Sequence, residues 1–135
     1  LTRGEAIDGQ ATMPTPLTQG QLFEARTQVM QLFLDEAVEQ YLVQLVMATR
    51  VPANYDETLA SWITYGASPR ATIALERCAR ANAWLNDRDF VTPDDVREVF
   101  FNTLRHRIII SYQAEADGIS PDTVLERILE LVPSP

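Results

Sequence analysis

Apolar residues recur at helical spacing in five separate stretches of the chain, and each stretch predicts one helix. In the first, Leu22, Phe23, Ala25, Arg26 and Val29 form a stripe that runs to about Met30. Thr18-Gln-Gly-Gln21 in front of it matches a capping box, with Thr at the cap and Gln three residues later. The second helix, roughly 36–49, follows Asp35 and repeats Val38, Tyr41, Leu42, Leu45 and Val46; Val51-Pro52 forbids its continuation. The third spans about 69–85, with Ile73, Ala74, Arg77, Cys78, Ala81, Trp84 and Leu85 tracing its faces. The fourth covers roughly 93–105 and turns Val96, Val99, Phe100 and Leu104 inward. Phe90-Val91 before it, against Val96, resembles a hydrophobic staple. The fifth covers about 121–131, with Val124, Leu125, Ile128 and Leu129, and ends at the prolines 133 and 135.

The stretches between are less periodic. Residues 1–17 are polar and hold Gly4, Gly9, Pro14 and Pro16, which reads as a linker without a core of its own. The connector 51–67 reads as a loop or short helical turn with Tyr55, Trp62, Ile63 and Tyr65. Its aromatics either cover the core or contact a partner domain. Leu32–Leu34 reads as extended, and the β-branched Ile108–Ile110 as one short strand. A two-stranded ladder between that strand and either Leu32–Leu34 or Phe90–Val91 is compatible with the pattern. The fold class that follows is all-α: a small bundle of about five helices with room for one such ladder.

Composition narrows the chemistry. With 135 residues and 46% apolar content, the chain fits one globular domain. A formal charge of −8 argues against a nucleic-acid surface. All eleven basic residues are Arg. A phosphate-binding P-loop requires a Lys, so this chain carries none, and by itself it is expected to hydrolyse no ATP. Cys78 is alone, which excludes an internal disulfide and fits a reducing, cytoplasmic setting; it reads as a small buried filler. No apolar run reaches the roughly 18 residues of a membrane span. Leu1 in place of Met suggests a fragment or a processed product.

Three helix starts share one form: Ser68-Pro69, Thr92-Pro93 and Ser120-Pro121. Two are followed by acids, which the helix dipole favours; the third is followed by Arg70. A guanidinium there suits an anion held at the helix N-terminus, and phosphate fits its paired donors. The alternative is an ion pair with Asp56 or Glu57. Gly66-Ala67 permits a close backbone approach. Arg50 and Arg105-His106-Arg107 lie at helix C-termini, where cations are favoured. His106 is the single His, so no metal centre or triad can be built from repeated ligands. Asp94 and Asp95 are explained by a helix start, and Asp87 and Asp89 by a turn, which leaves no metal site among them.

Taken in order, Leu45-Val-Met-Ala-Thr-Arg50, Gly66-Ala-Ser-Pro-Arg70, Ala79-Arg-Ala81, Ala83, Arg88-Asp89, Val91-Thr-Pro-Asp-Asp-Val96, Leu104-Arg-His-Arg-Ile108, Glu115-Ala-Asp-Gly118 and Ser120-Pro-Asp122 resemble the C-terminal lid of MoxR-type AAA+ ATPases. The resemblance runs from about Leu17 to the end, which makes 18–135 the lid and 1–17 its linker from an ATPase core. It implies that Arg70 is the sensor-2 arginine, which contacts a phosphate of ATP, with Gly66 and Ser68 beside the nucleotide. It implies ATP and Mg2+ as cofactors of the full-length protein. The implied partners are the protein's own core and the neighbouring subunits of a ring, read as a hexamer. Arg50, Trp62, Tyr65, Arg105, His106 and Arg107 are then the interface candidates. The implied function is coupling of ATP binding and hydrolysis to chaperone-like remodelling or complex maturation. Whether Arg70 acts in its own subunit or the next stays open. The connector 51–65 is bulkier than the family leads one to expect. The other reading is a freestanding helical interaction module with no nucleotide role.

Overall fold

The computed structural model describes residues 13–135. Of the expected linker, residues 1–12 lie outside the described residues, while 13–17 are exposed and carry no regular structure. Among the described residues there are seven α-helices: α1 (Gln19–Gln31), α2 (Glu36–Arg50), α3 (Glu57–Trp62), α4 (Arg70–Leu85), α5 (Pro93–Leu104), α6 (Tyr112–Ala116) and α7 (Pro121–Leu131). Two 3-10 turns, Pro52–Asn54 and Arg105–Arg107, and two short strands, β1 (Ile63–Tyr65) and β2 (Ile109–Ile110), are the other elements of the described residues.

Most helix starts follow from side-chain capping. Thr18 and Gln21 bond reciprocally at α1, and Asp35 accepts from the Ala37 N–H at α2. Thr92 and Asp95 form a second capping box at α5, and Ser120 caps α7. α4 differs. Pro69 already has helical dihedrals, and the Ser68 side chain makes no capping bond.

The core lies where α2, α4, α5 and α7 meet, and α4 and α5 form its most extensively packed pair. Phe100 of α5 is its largest fully buried side chain, and burying such a group contributes about 1.5–3 kcal/mol. α4 supplies Ala71, Leu75, Ala79 and Ala83, all fully buried. These stand four residues apart and form one ridge, and the small alanines let the neighbouring helices approach closely. The expected faces of α4 are therefore corrected: Ile73 and Cys78 are exposed, so Cys78 is no buried filler. Alanines surround this helix, so apolar spacing alone does not fix which face turns inward. Its other apolar face meets α1, and Trp84 Nε1 donates to Gln28 Oε1 at 3.1 Å. No residue of α1 is buried.

The expected ladder forms with a different partner. β2 pairs antiparallel with β1, Ile63 opposite Ile110 and Tyr65 opposite Ile109. Leu32–Leu34 and Phe90–Val91 instead meet each other, in a parallel bridge between Phe33 and Phe90. Ile63 is buried and Ile110 packs against the core, so the connector supplies the strand that the β-branched run needs. Ser111 completes the join, its N–H donating to the Trp62 carbonyl at 2.8 Å. The connector itself is a 3-10 turn and α3, with Leu59 fully buried and Tyr55 and Trp62 packed on the core. α3 and α6 are six and five residues long, too short for a helical period to show in the sequence.

Candidate functional site

Arg70 is the first residue of α4 and is exposed. Among the described residues its guanidinium has no hydrogen-bond or ion-pair partner. The two acids expected to compete for it are not bonded to it. Asp56 caps α3 through the Leu59 N–H at 3.2 Å and pairs with Arg127 at 3.3 Å. Glu57 is exposed and makes no ion pair among the described residues. Three other arginines are tied down, Arg80 to Glu76, Arg88 to Asp95 and Arg105 to Asp122, while Arg77 on the same helix is, like Arg70, exposed and without a polar partner among the described residues. Arg70 therefore stands at the positive end of a sixteen-residue helix with no compensation from the described residues. Such a placement costs about 0.3–1 kcal/mol unless an anion is present.

The loop that carries Arg70 is anchored on the end of α2. The Ala67 N–H donates to Thr49 Oγ1 at 3.0 Å, and Arg50 Nη1 donates to the Ala67 carbonyl at 3.1 Å. Thr49 Oγ1 in turn donates to the Val46 carbonyl at 2.7 Å. Thr49 and Ala67 are both fully buried. A Cβ on Gly66 would lie 2.1 Å from the Thr49 carbonyl oxygen and 2.7 Å from Arg50 Cα. The close approach that Gly66 allows is thus to the backbone of α2. Ser68 is exposed, and its hydroxyl makes no hydrogen bond among the described residues.

The remaining candidates divide. Tyr65 is exposed and faces Ile109 across the ladder, while Trp62 is half-buried against the core. Arg107 donates to the Thr103 carbonyl at 3.0 Å, the expected interaction of a cation with a helix C-terminus. Arg105 reaches further, to the N-terminal turn of α7, with bonds of 2.5 and 3.0 Å to the two oxygens of Asp122. That pair holds the Asp122 carboxyl below the usual carboxylate range. His106 is exposed. The acids also divide: Asp95 is buried and accepts from Asn82 at 2.9 Å, from the Thr92 N–H at 2.8 Å and from Arg88, whereas Asp87 and Asp89 lie in the turn after α4. One feature escaped the sequence. An apolar groove of about 410 Å³ lies between α1 and the C-terminal half of α4, lined by Leu22, Val29, Met30, Trp84 and Leu85 among others. The exposed remainder of the α1 stripe was its only signal.

Residues 57–128 match the family described as the AAA lid domain. The chain belongs to that family. Over 120 residues, 88% of its length, this lid is 39% identical to Chaperone MoxR1 of Mycobacterium tuberculosis, and covers 32% of that protein. It is 40% identical to protein MoxR of Methylorubrum extorquens over 72 residues, 52% of this chain and 21% of that one. A solved structure of an ATPase candidate from Cytophaga hutchinsonii superposes with a TM-score of 0.83 at 45% identity, covering 86% of the lid and 36% of that chain. The lid is of the MoxR type, and it spans at most about a third of these relatives' length. The match begins at residue 57, so α3 and β1 of the connector lie inside the family's own region. No helix of the described residues is long and apolar enough to cross a membrane.

Proposed function

We propose that this lid serves an ATP-driven, chaperone-like motor and that Arg70 is its sensor-2 arginine. The observation that carries this is an exposed arginine with no partner among the described residues, placed first in α4 by a loop clamped to α2. Its donors fit phosphate, and the helix N-terminus behind it adds a favourable field. ATP with Mg2+ supplies the phosphoryl-transfer chemistry of the full-length protein. The part of Arg70 is to donate to a phosphate oxygen and so link nucleotide state to lid position. Gly66 serves this role through the loop it allows, and Ser68 offers a hydroxyl beside it. The lid works against its own core and neighbouring subunits of a cytoplasmic ring, in a hexamer. Arg50, Tyr65, Arg105, His106 and Arg107 are exposed and offer contacts to those partners, while Trp62 packs half-buried against the core.

The test is ATP turnover by the full-length protein at subsaturating ATP for Arg70→Ala and Arg77→Ala. Arg77 is also exposed on α4 and serves as the comparator. Arg70→Ala lowers turnover and Arg77→Ala retains it; equal turnover in both variants and the parent contradicts the proposal. The apolar groove between α1 and α4 favours a second reading, a freestanding interaction module. The coding sequence upstream of Leu1 separates the two: a G-x-x-x-x-G-K-[ST] stretch supports the ATPase lid, and an independent start codon supports the module.

A further inference from the structure

We propose that Thr49 and Arg50 are positioning residues for Arg70, a two-point clamp that sets where its guanidinium reaches. This rests on the reading of Arg70 as a phosphate contact. Both polar groups of Ala67 are taken by consecutive residues of α2: the N–H by Thr49 Oγ1 at 3.0 Å, the carbonyl by Arg50 Nη1 at 3.1 Å. The Thr49 hydroxyl uses both of its capacities, since it also donates to the Val46 carbonyl at 2.7 Å. That second bond orients the oxygen toward the loop. Gly66 lets the loop come this close, because any Cβ would meet the α2 backbone. Only Ser68 and Pro69 separate the clamp from Arg70, and the Pro69 ring fixes its own φ. The root of the arginine is therefore registered on the end of α2, and little freedom is left between.

The clamp matters for function because a long arginine must find a phosphate from a fixed root. A misplacement of about 1 Å in a positioned group can cost about a hundredfold in rate. The α2 motif Ala48-Thr49-Arg50 and the loop motif Gly66–Arg70 are thus one device in two pieces. The charged donor belongs to Arg50, whose side chain is tied to a backbone carbonyl.

The experiment measures ATP affinity, KM for ATP and kcat of the full-length protein, with its melting temperature in the absence of nucleotide. The variants are Thr49→Val, Thr49→Ser, Arg50→Met and Arg70→Ala, together with Thr49→Val and Arg50→Met each combined with Arg70→Ala. Losing one such hydrogen bond weakens ATP binding by about 2- to 10-fold in Thr49→Val and in Arg50→Met. Thr49→Ser, which keeps the hydroxyl, restores the parent affinity. In the Arg70→Ala background neither clamp substitution lowers affinity further, because the group being positioned is gone. Arg50→Met removes a side chain that is itself exposed, so it is expected to fold, with a melting temperature lowered only by the loss of one hydrogen bond, and it carries the cycle if Thr49→Val fails to fold. Parent-like affinity in both clamp variants while Arg70→Ala loses binding overturns the clamp and leaves the Arg70 reading standing. Additive losses in the double variants also overturn it, since they mark a general structural effect. Parent-like affinity in Arg70→Ala overturns the reading of Arg70 and the clamp with it.

Discussion

A methyl group on residue 66 would lie 2.1 Å from the Thr49 carbonyl oxygen. The obstacle is backbone inside a helix and cannot swing aside as a long side chain would. Gly66→Ala is therefore expected to destabilise the lid by about 1–3 kcal/mol through overpacking. Urea unfolding checks this, and an unchanged midpoint would count against the close packing described. The sequence indicated that Gly66 permits a close approach, but not to what. The answer lies seventeen residues upstream, at Thr49, where only the folded chain brings the two together. Arg70 was legible in a different way. Its charge is unfavourable at a helix start, and that conflict was visible beside Thr92-Pro93 and Ser120-Pro121, which follow the rule. Cys78 was misplaced because neighbours such as Ala74 and Ala81 make every face of α4 look apolar.

α5 starts at the Thr92 cap, and Asp95, a carboxylate buried among four donors, braces that start. It completes the box with Thr92, and it also holds Arg88 and Asn82. Asp95→Ala removes the reciprocal half of the capping box, leaving Thr92 Oγ1 to accept from the residue-95 N–H, and strands these donors. Breaking a buried pair costs about 3–5 kcal/mol, and the partial exposure of Arg88 sets the expectation near 3 kcal/mol. Chemical denaturation of the variant measures it; a loss within error of zero contradicts the network. At this scale the five long helices were readable, because each repeats apolar residues over three or more turns and four have side-chain caps. α3 and α6 were not, since one turn or so of helix leaves no period. The strand at Ile109–Ile110 was readable from its β-branched residues. Its partner was not, because Ile63–Tyr65 reads as part of an aromatic connector, and Leu32–Leu34 and Phe90–Val91 were equally plausible by composition.

The whole molecule carries a net charge of −8, and most of its ion pairs lie at or near the surface. The pair joining the end of α5 to the start of α7 has a direct consequence for pH. Arg105 holds the Asp122 pKa below its unfolded value, so this contribution to stability is fully present above about pH 3.9. It is lost as pH falls through the depressed folded value. The melting temperature of Asp122→Asn should therefore fall less than the parent's on acidification below about pH 4. Identical pH profiles would contradict the linkage. The fold class and the domain's family were legible at this scale through the order of motifs from Leu45 to Asp122. The apolar groove beside α1 was not, because Leu22, Phe23 and Met30 carry the same spacing whether a stripe is covered or left open. What ties residue, element and molecule together is Arg70, held at the mouth of α4 and aimed outward. The most direct test is the ATP dissociation constant of the full-length protein with and without Arg70→Ala, beside thermal melting of this 135-residue chain with the same change. Loss of a charge-assisted hydrogen bond predicts affinity weaker by about ten- to a hundredfold, with the chain's own melting temperature nearly unchanged. Unaltered ATP affinity with a strongly destabilised lid would make Arg70 a structural residue and contradict the assignment.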